Sequence, residues 1–76
     1  MQSVNISLNS IDKVKSFVNL IAGFEGDFDL ASDRYVVDAK SIMGIFSLDL
    51  SKPLRLDIYS DSDAAALNDK IKEFLV

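Results

Sequence analysis

The sequence predicts a two-layer α+β domain: a four-stranded antiparallel sheet with three helices on one face. Three observations lead there. Apolar residues alternate with polar ones over some short runs and recur every three to four residues over others, which separates strands from helices. The runs follow the order β-α-β-β-α-β-α, with a short middle helix. Each strand-like run has a polar side and each helix a single apolar side, so one face of the sheet is covered and the other is wet.

Val4, Ile6 and Leu8 alternate with Ser3, Asn5 and Ser7, a half-buried strand that can start at Gln2. Asn9 or Ser10 caps the next helix, and Asp12 in its first turn suits the positive end of the helix dipole. Ile11, Val14, Phe17, Val18 and Ile21 share one helix face. Gly23 is a natural terminator, with Phe24 folding back on the helix end. After the Glu25-Gly26-Asp27 turn, Phe28 and Leu30 form a second strand. Ser32-Asp33-Arg34 connects it to a third, Tyr35-Val36-Val37, and the two make a hairpin.

Lys40 to Leu48 reads as a short helix capped by Ser41. Pro53 cannot donate to a ladder, so it stands at the start of a strand. Leu54, Leu56 and Ile58 then alternate with Arg55, Asp57 and Tyr59, the cleanest strand pattern in the chain. Ser60 to Asp63 is a cap cluster, and Ala64-Ala65-Ala66 favours helix. Leu67, Ile71, Phe74 and Leu75 fall on one face of a last helix, within which the chain stops. Ser3, Asn5, Ser7, Arg55, Asp57 and Tyr59 are expected on the wet face of the sheet.

Residues 1–76 read as a single domain without linkers, repeats or low-complexity tracts. With 49% hydrophobic residues the chain has material for a core. A chain of this size buries roughly 60% of its unfolded surface. It has no cysteine, which excludes disulfides and thiolate metal sites, and no histidine, the commonest metal ligand and neutral-pH proton carrier. Twelve acidic against eight basic residues give a net charge of −4, a poor basis for nucleic-acid binding. No apolar run approaches the roughly 18 residues of a membrane span. The first residues lack a signal-peptide pattern, so a cytoplasmic protein is expected. Asp57, Asp61 and Asp63 do not have calcium-loop spacing and read as caps and solvated charges. No base–nucleophile pair emerges, so neither an enzyme nor a cofactor is expected.

The run Lys40-Ser41-Ile42-Met43-Gly44-Ile45-Phe46-Ser47-Leu48 resembles the regulatory-serine segment of the HPr family, the histidine-containing phosphocarriers of the sugar phosphotransferase system. The resemblance extends from Val4 to Leu75. It implies an HPr-like open-faced β-sandwich with strand order 1-4-2-3. Periodicity alone would also allow a ferredoxin-like sheet. The family's carrier histidine opens the first helix in a Gly-x-His-Ala-Arg-Pro-like loop. The matching stretch here, Leu8-Asn9-Ser10-Ile11-Asp12-Lys13-Val14, has none of that glycine, histidine, arginine or proline. Ser10 and Asp12 stand at the degenerate carrier positions. A serine phosphoester is far more inert to onward transfer than a phosphohistidine, so helix capping is the role expected of Ser10.

The resemblance also implies that an ATP-dependent kinase phosphorylates Ser41, with Lys40 beside it. Ser41 is expected to cap its helix as well, and the two roles are compatible. Ile45 and Leu48 are assigned to the core. Ile42, Met43 and Phe46 are then left outward as an apolar patch that, with Lys40, docks partner proteins. The expected function is that of an HPr-like phosphotransferase-system protein without the phosphohistidine site, a regulatory or interaction module. Its expected partners are phosphotransferase-system or transcription-regulatory proteins and a serine kinase, not nucleic acid or membrane. Two alternatives stand beside it. One is a phosphoryl carrier using Ser10 or Asp12. The other is a drifted copy with a structural role that self-associates through the sheet edge or the patch.

Overall fold

The computed structural model describes all residues from Met1 to Val76. It contains strand β1 (Gln2–Ile6), helix α1 (Ile11–Ile21), β2 (Phe28–Ala31), β3 (Val36–Asp38), α2 (Ile42–Phe46), β4 (Leu54–Ile58), α3 (Asp61–Leu67) and a 3-10 turn over Lys72–Phe74. The four strands form one antiparallel sheet in the order β1-β4-β2-β3. No helix is long and apolar enough to cross a membrane.

Register decides which side chains meet. Val4 faces Leu56 and Ile6 faces Leu54 across the β1–β4 pair, while Phe28 faces Ile58 and Leu30 faces Leu56 across β2–β4. With a side-chain period of two, these residues share one face. Val14, Phe17 and Ile21 of α1, Ile45 of α2, and Ala64 and Leu67 of α3 close over it as one hydrophobic cluster. Phe17 meets Phe74 edge-on, with ring centroids 5.7 Å apart at 79°.

Each helix begins with the same device. Ser10, Ser41 and Ser60 are extended at the N-cap, and each hydroxyl accepts the N–H of the third residue on, from Lys13 and Gly44 at 3.1 Å and from Asp63 at 3.3 Å. Such a cap contributes about 1 kcal/mol.

The structure departs from the sequence pattern in four places. First, α1 ends without a left-handed residue: Ala22 caps it in the right-handed region and no glycine has positive φ. The Phe24 N–H bonds the Ile21 carbonyl at 3.0 Å, tightening the last turn so that Gly23 need not terminate it. Second, Ile11 is exposed. It is the first helical residue, and helical side chains lean toward the N-terminus, past the core beneath.

Third, the last helix is short. It stops at Leu67, where Asn68 and Asp69 are weak helix formers. The chain then runs through the 3-10 turn and finishes extended beside β1. The Ser7 N–H bonds the Phe74 carbonyl at 2.8 Å, the Val76 N–H bonds the Asn5 carbonyl at 3.2 Å, and Leu75 bridges Ile6. An open sheet edge offers unpaired backbone groups, and satisfying them outweighs another turn of helix. Leu75 is therefore exposed, while Ile71 and Phe74 still reach the core.

Fourth, Asp57 is not solvated on the outer face but only 6% exposed. Arg55 lies over it and donates from Nε and Nη2 at 3.0 and 3.2 Å, and the Ser3 hydroxyl donates at 2.7 Å. Burial pushes the Asp57 carboxyl up, but these bonds and the Arg55 charge outweigh it and hold the group below its ordinary 3.8.

Two outcomes are expected. Phe17→Ala removes a fully buried ring and costs about 3–5 kcal/mol. A small domain has only about 5 kcal/mol to lose, so urea denaturation followed by circular dichroism should show a midpoint shifted close to zero denaturant, with up to about half the population unfolded in its absence. The second concerns acid. The folded-state value of Asp57 lies below the unfolded one, so its network stabilises above about pH 4 and fades as pH falls through the folded value. The stability gap between the native chain and Asp57→Asn should therefore shrink on acidification from about pH 6 to pH 2. A gap that stays constant over that range would rule the linkage out.

Candidate functional site

Helix α2 is clamped at both ends through one residue. The Ser41 hydroxyl accepts the Gly44 N–H at 3.1 Å, and the Ser47 hydroxyl donates to the Gly44 carbonyl at 2.6 Å. Gly44 also lets the helix sit close to β3. A Cβ there would stand 3.2 Å from the Val37 Cβ and 3.3 Å from the Ser41 Oγ, tighter than ordinary contact.

An element this short can bury one side only. Ile45 and Leu48 take that side and are buried. Met43 is 78% exposed and Phe46 44% exposed on the other. Ile42 departs from expectation. It is half-buried and packs on the core, so it borders the apolar patch rather than standing in it. The Ser41 side chain is exposed at the rim, its hydroxyl engaged by one backbone N–H.

Lys40 directly precedes Ser41. Its ammonium is not held out beside Ser41 as a free surface charge. It donates to the Phe24 carbonyl just beyond α1 and lies 5.6 Å from the centre of the Phe28 ring. A partly buried carbonyl and an aromatic face both attract a cation, and together they draw the side chain inward. Lys40 thus ties the α1–β2 connection to the segment leading into α2.

At the start of α1, Ser10 and Asp12 are both exposed. The Ser10 hydroxyl accepts the Lys13 N–H, and no side chain hydrogen-bonds to it. Asp12 lines a shallow cleft of about 120 Å³ with Lys13, Ser16 and Glu73. A hydroxyl used as a cap, with no base on it, is a poor phosphoacceptor. The remaining carboxylates of the sequence cluster are dispersed: Asp61 pairs with the N-terminal ammonium at 3.4 Å, and Asp63 accepts the Gly26 N–H at 3.1 Å.

Sequence reasoning missed one feature. The turn Ser32–Tyr35 and the connection after α2 face each other across an open cleft of about 290 Å³. Arg34 and Lys52 both line it, together with Asp33 and Asp49. Asp49 is already engaged: the Ser51 hydroxyl donates to it at 2.6 Å and the Ser51 N–H at 3.1 Å, and these bonds hold its carboxyl below the ordinary value. Runs this far apart in the chain carry no spacing signal that would join them.

Comparison with known proteins bears on the family. The family model described as the PTS HPr component phosphorylation site matches residues 13–76. No curated protein matches the chain. Among solved structures, it is similar to the crystal structure of HPr-C-His from Thermoanaerobacter tengcongensis, with 27% identity and a TM-score of 0.76 over 96% of this chain and 92% of that one. It shares its fold with a phosphocarrier protein HPr from Bacillus anthracis str. Ames, at 24% identity and a TM-score of 0.72 over 99% of this chain and 94% of that one. The family match covers most of the chain and the fold agrees in sheet order: the chain belongs to the HPr family of the phosphotransferase system.

Proposed function

We propose that this HPr-family chain is a cytoplasmic interaction module that docks partner proteins through α2 and relays no phosphoryl group through histidine. The supporting observation is the exposure of Met43 and Phe46 on a helix whose opposite side is already buried. Full burial of a large apolar side chain is worth about 1.5–3 kcal/mol; Met43 has most of that still to gain on docking and Phe46 somewhat under half. The stretch that opens α1 contains no imidazole, and Ser10 there serves as a cap. Labile phosphoryl transfer has no nucleophile at that position.

Ser41 supplies the switch in this reading. Its hydroxyl is exposed beside the patch, where a kinase has access. A phosphate there adds about −1.5 to −2 charge to the rim. The Lys40 ammonium, held on the Phe24 carbonyl, does not stand ready to neutralise it. Phosphorylation therefore changes which surface can dock. The partners fitting this reading are phosphotransferase-system or transcription-regulatory proteins.

Two measurements test it. The chain is incubated with the general phosphotransferase enzyme and labelled phosphoenolpyruvate, and separately with an HPr serine kinase and labelled ATP. Label is expected from ATP alone and lost in Ser41→Ala. Label from phosphoenolpyruvate that disappears in Ser10→Ala or Asp12→Ala would establish the carrier reading instead. In a binding assay against those proteins, Met43→Asp should weaken association at least about tenfold, the loss of one buried anchor. Its thermal unfolding should stay within about 0.5 kcal/mol of native, because the position is on the surface.

A further inference from the structure

We propose that the cleft between the β2–β3 turn and the α2–β4 connection binds a small phosphorylated polyhydroxy compound of the sugar-phosphate class. This site is separate from the α2 patch and does not rest on the docking reading.

The four charges lining the cleft are not equivalent. Asp49 is committed to Ser51. Arg34, Lys52 and Asp33 take part in no ion pair or side-chain hydrogen bond, and neither do the hydroxyls of Ser32 and Tyr35. The cleft is thus lined by two cations outside any ion pair, one free carboxylate, two free hydroxyls and an exposed tyrosine ring, with Lys52 near enough to Asp49 to help hold its carboxyl down. A guanidinium fork and an ammonium together match the oxygens of a phosphate monoester. The free carboxylate would repel a bare anion, but it accepts hydrogen bonds from ligand hydroxyls.

Size narrows the class. Sites for drug-sized ligands run from about 300 Å³ upward. At about 290 Å³ this open cleft lies at the small end of that range. Binding through exposed ions is screened by salt, so affinity should be modest and fall with ionic strength.

The test is a heteronuclear NMR titration of the intact chain with glucose 6-phosphate, inorganic phosphate and glucose in turn. Glucose 6-phosphate is expected to give saturable shifts confined to residues 32–35 and 47–53, with Kd of about 1 mM or tighter. Inorganic phosphate should bind more weakly and glucose hardly at all. The double variant Arg34→Gln/Lys52→Gln should weaken glucose 6-phosphate roughly tenfold or more. Its spectrum should otherwise match the native one, since both residues are exposed. Shifts that do not saturate, that centre on Lys13, Lys15 or Lys70, or that survive the double variant would overturn the proposal. Equal affinity for inorganic phosphate would overturn the polyhydroxy assignment.

Discussion

Strand β4 bears on every other part of the molecule. It is hydrogen-bonded to β1 on one side and β2 on the other, and Leu54, Leu56 and Ile58 point from it into the helix layer. Its remaining residues, Arg55 and Asp57, point to the opposite face, where no second layer exists. A strand in that position must be apolar on one side and self-satisfying on the other. The second requirement explains the Arg55–Asp57–Ser3 network. Asp57 faces Asp29 across β2, and Asp29 faces Asp38 across β3, so three carboxylates lie in one row. Like charges directly opposite are destabilising. Each of the three has its own donors: Arg55 and Ser3 for Asp57, the Tyr59 hydroxyl at 2.6 Å for Asp29, and the Lys40 N–H at 2.9 Å for Asp38.

The covered face imposes a different limit. Helix α1 is long enough to contribute three buried anchors, whereas α2 contributes one within its five residues. The apolar side chains that α2 carries beyond Ile45 have little sheet left to cover. Two serines bonded to Gly44 close the ends of the element, and with Ile45 and Leu48 filling the side beneath it Met43 and Phe46 are left outward. Exposed apolar surface on a clamped helix is costly in isolation and useful in contact. That trade links the packing of the sheet to the proposed docking role.

The sheet edges divide unequally. The chain end, Phe74 to Val76, adds backbone bonds along the outside of β1 and takes it out of competition for other strands. The opposite edge, β3, is only three residues long and contains Asp38, whose carbonyl already accepts the Ser41 N–H. Short, charged and partly occupied edges resist pairing with another chain.

Periodicity carried most of the fold. The alternation around Val4, Leu30 and Leu56 and the helical spacing from Val14 to Ile21 each depend on which face of a local element is apolar, and that is written in neighbouring residues. The cap of α2 was legible as Ser41, and those of α1 and α3 to within a few residues, as Asn9 or Ser10 and as the cluster from Ser60 to Asp63, because a cap and the N–H it accepts lie three residues apart. The sheet order came from resemblance, since alternation does not say which strands are neighbours. Other features depended on contacts between distant residues. Lys40 turns inward because Phe24 and Phe28 arrive beside it; Asp57 is covered because Ser3 is its register partner; the last helix ends early because β1 has an edge to fill. The cleft of Arg34 and Lys52 exists only where two loops meet. Local pattern determines what each element is, but long-range packing decides where its polar atoms spend their bonds.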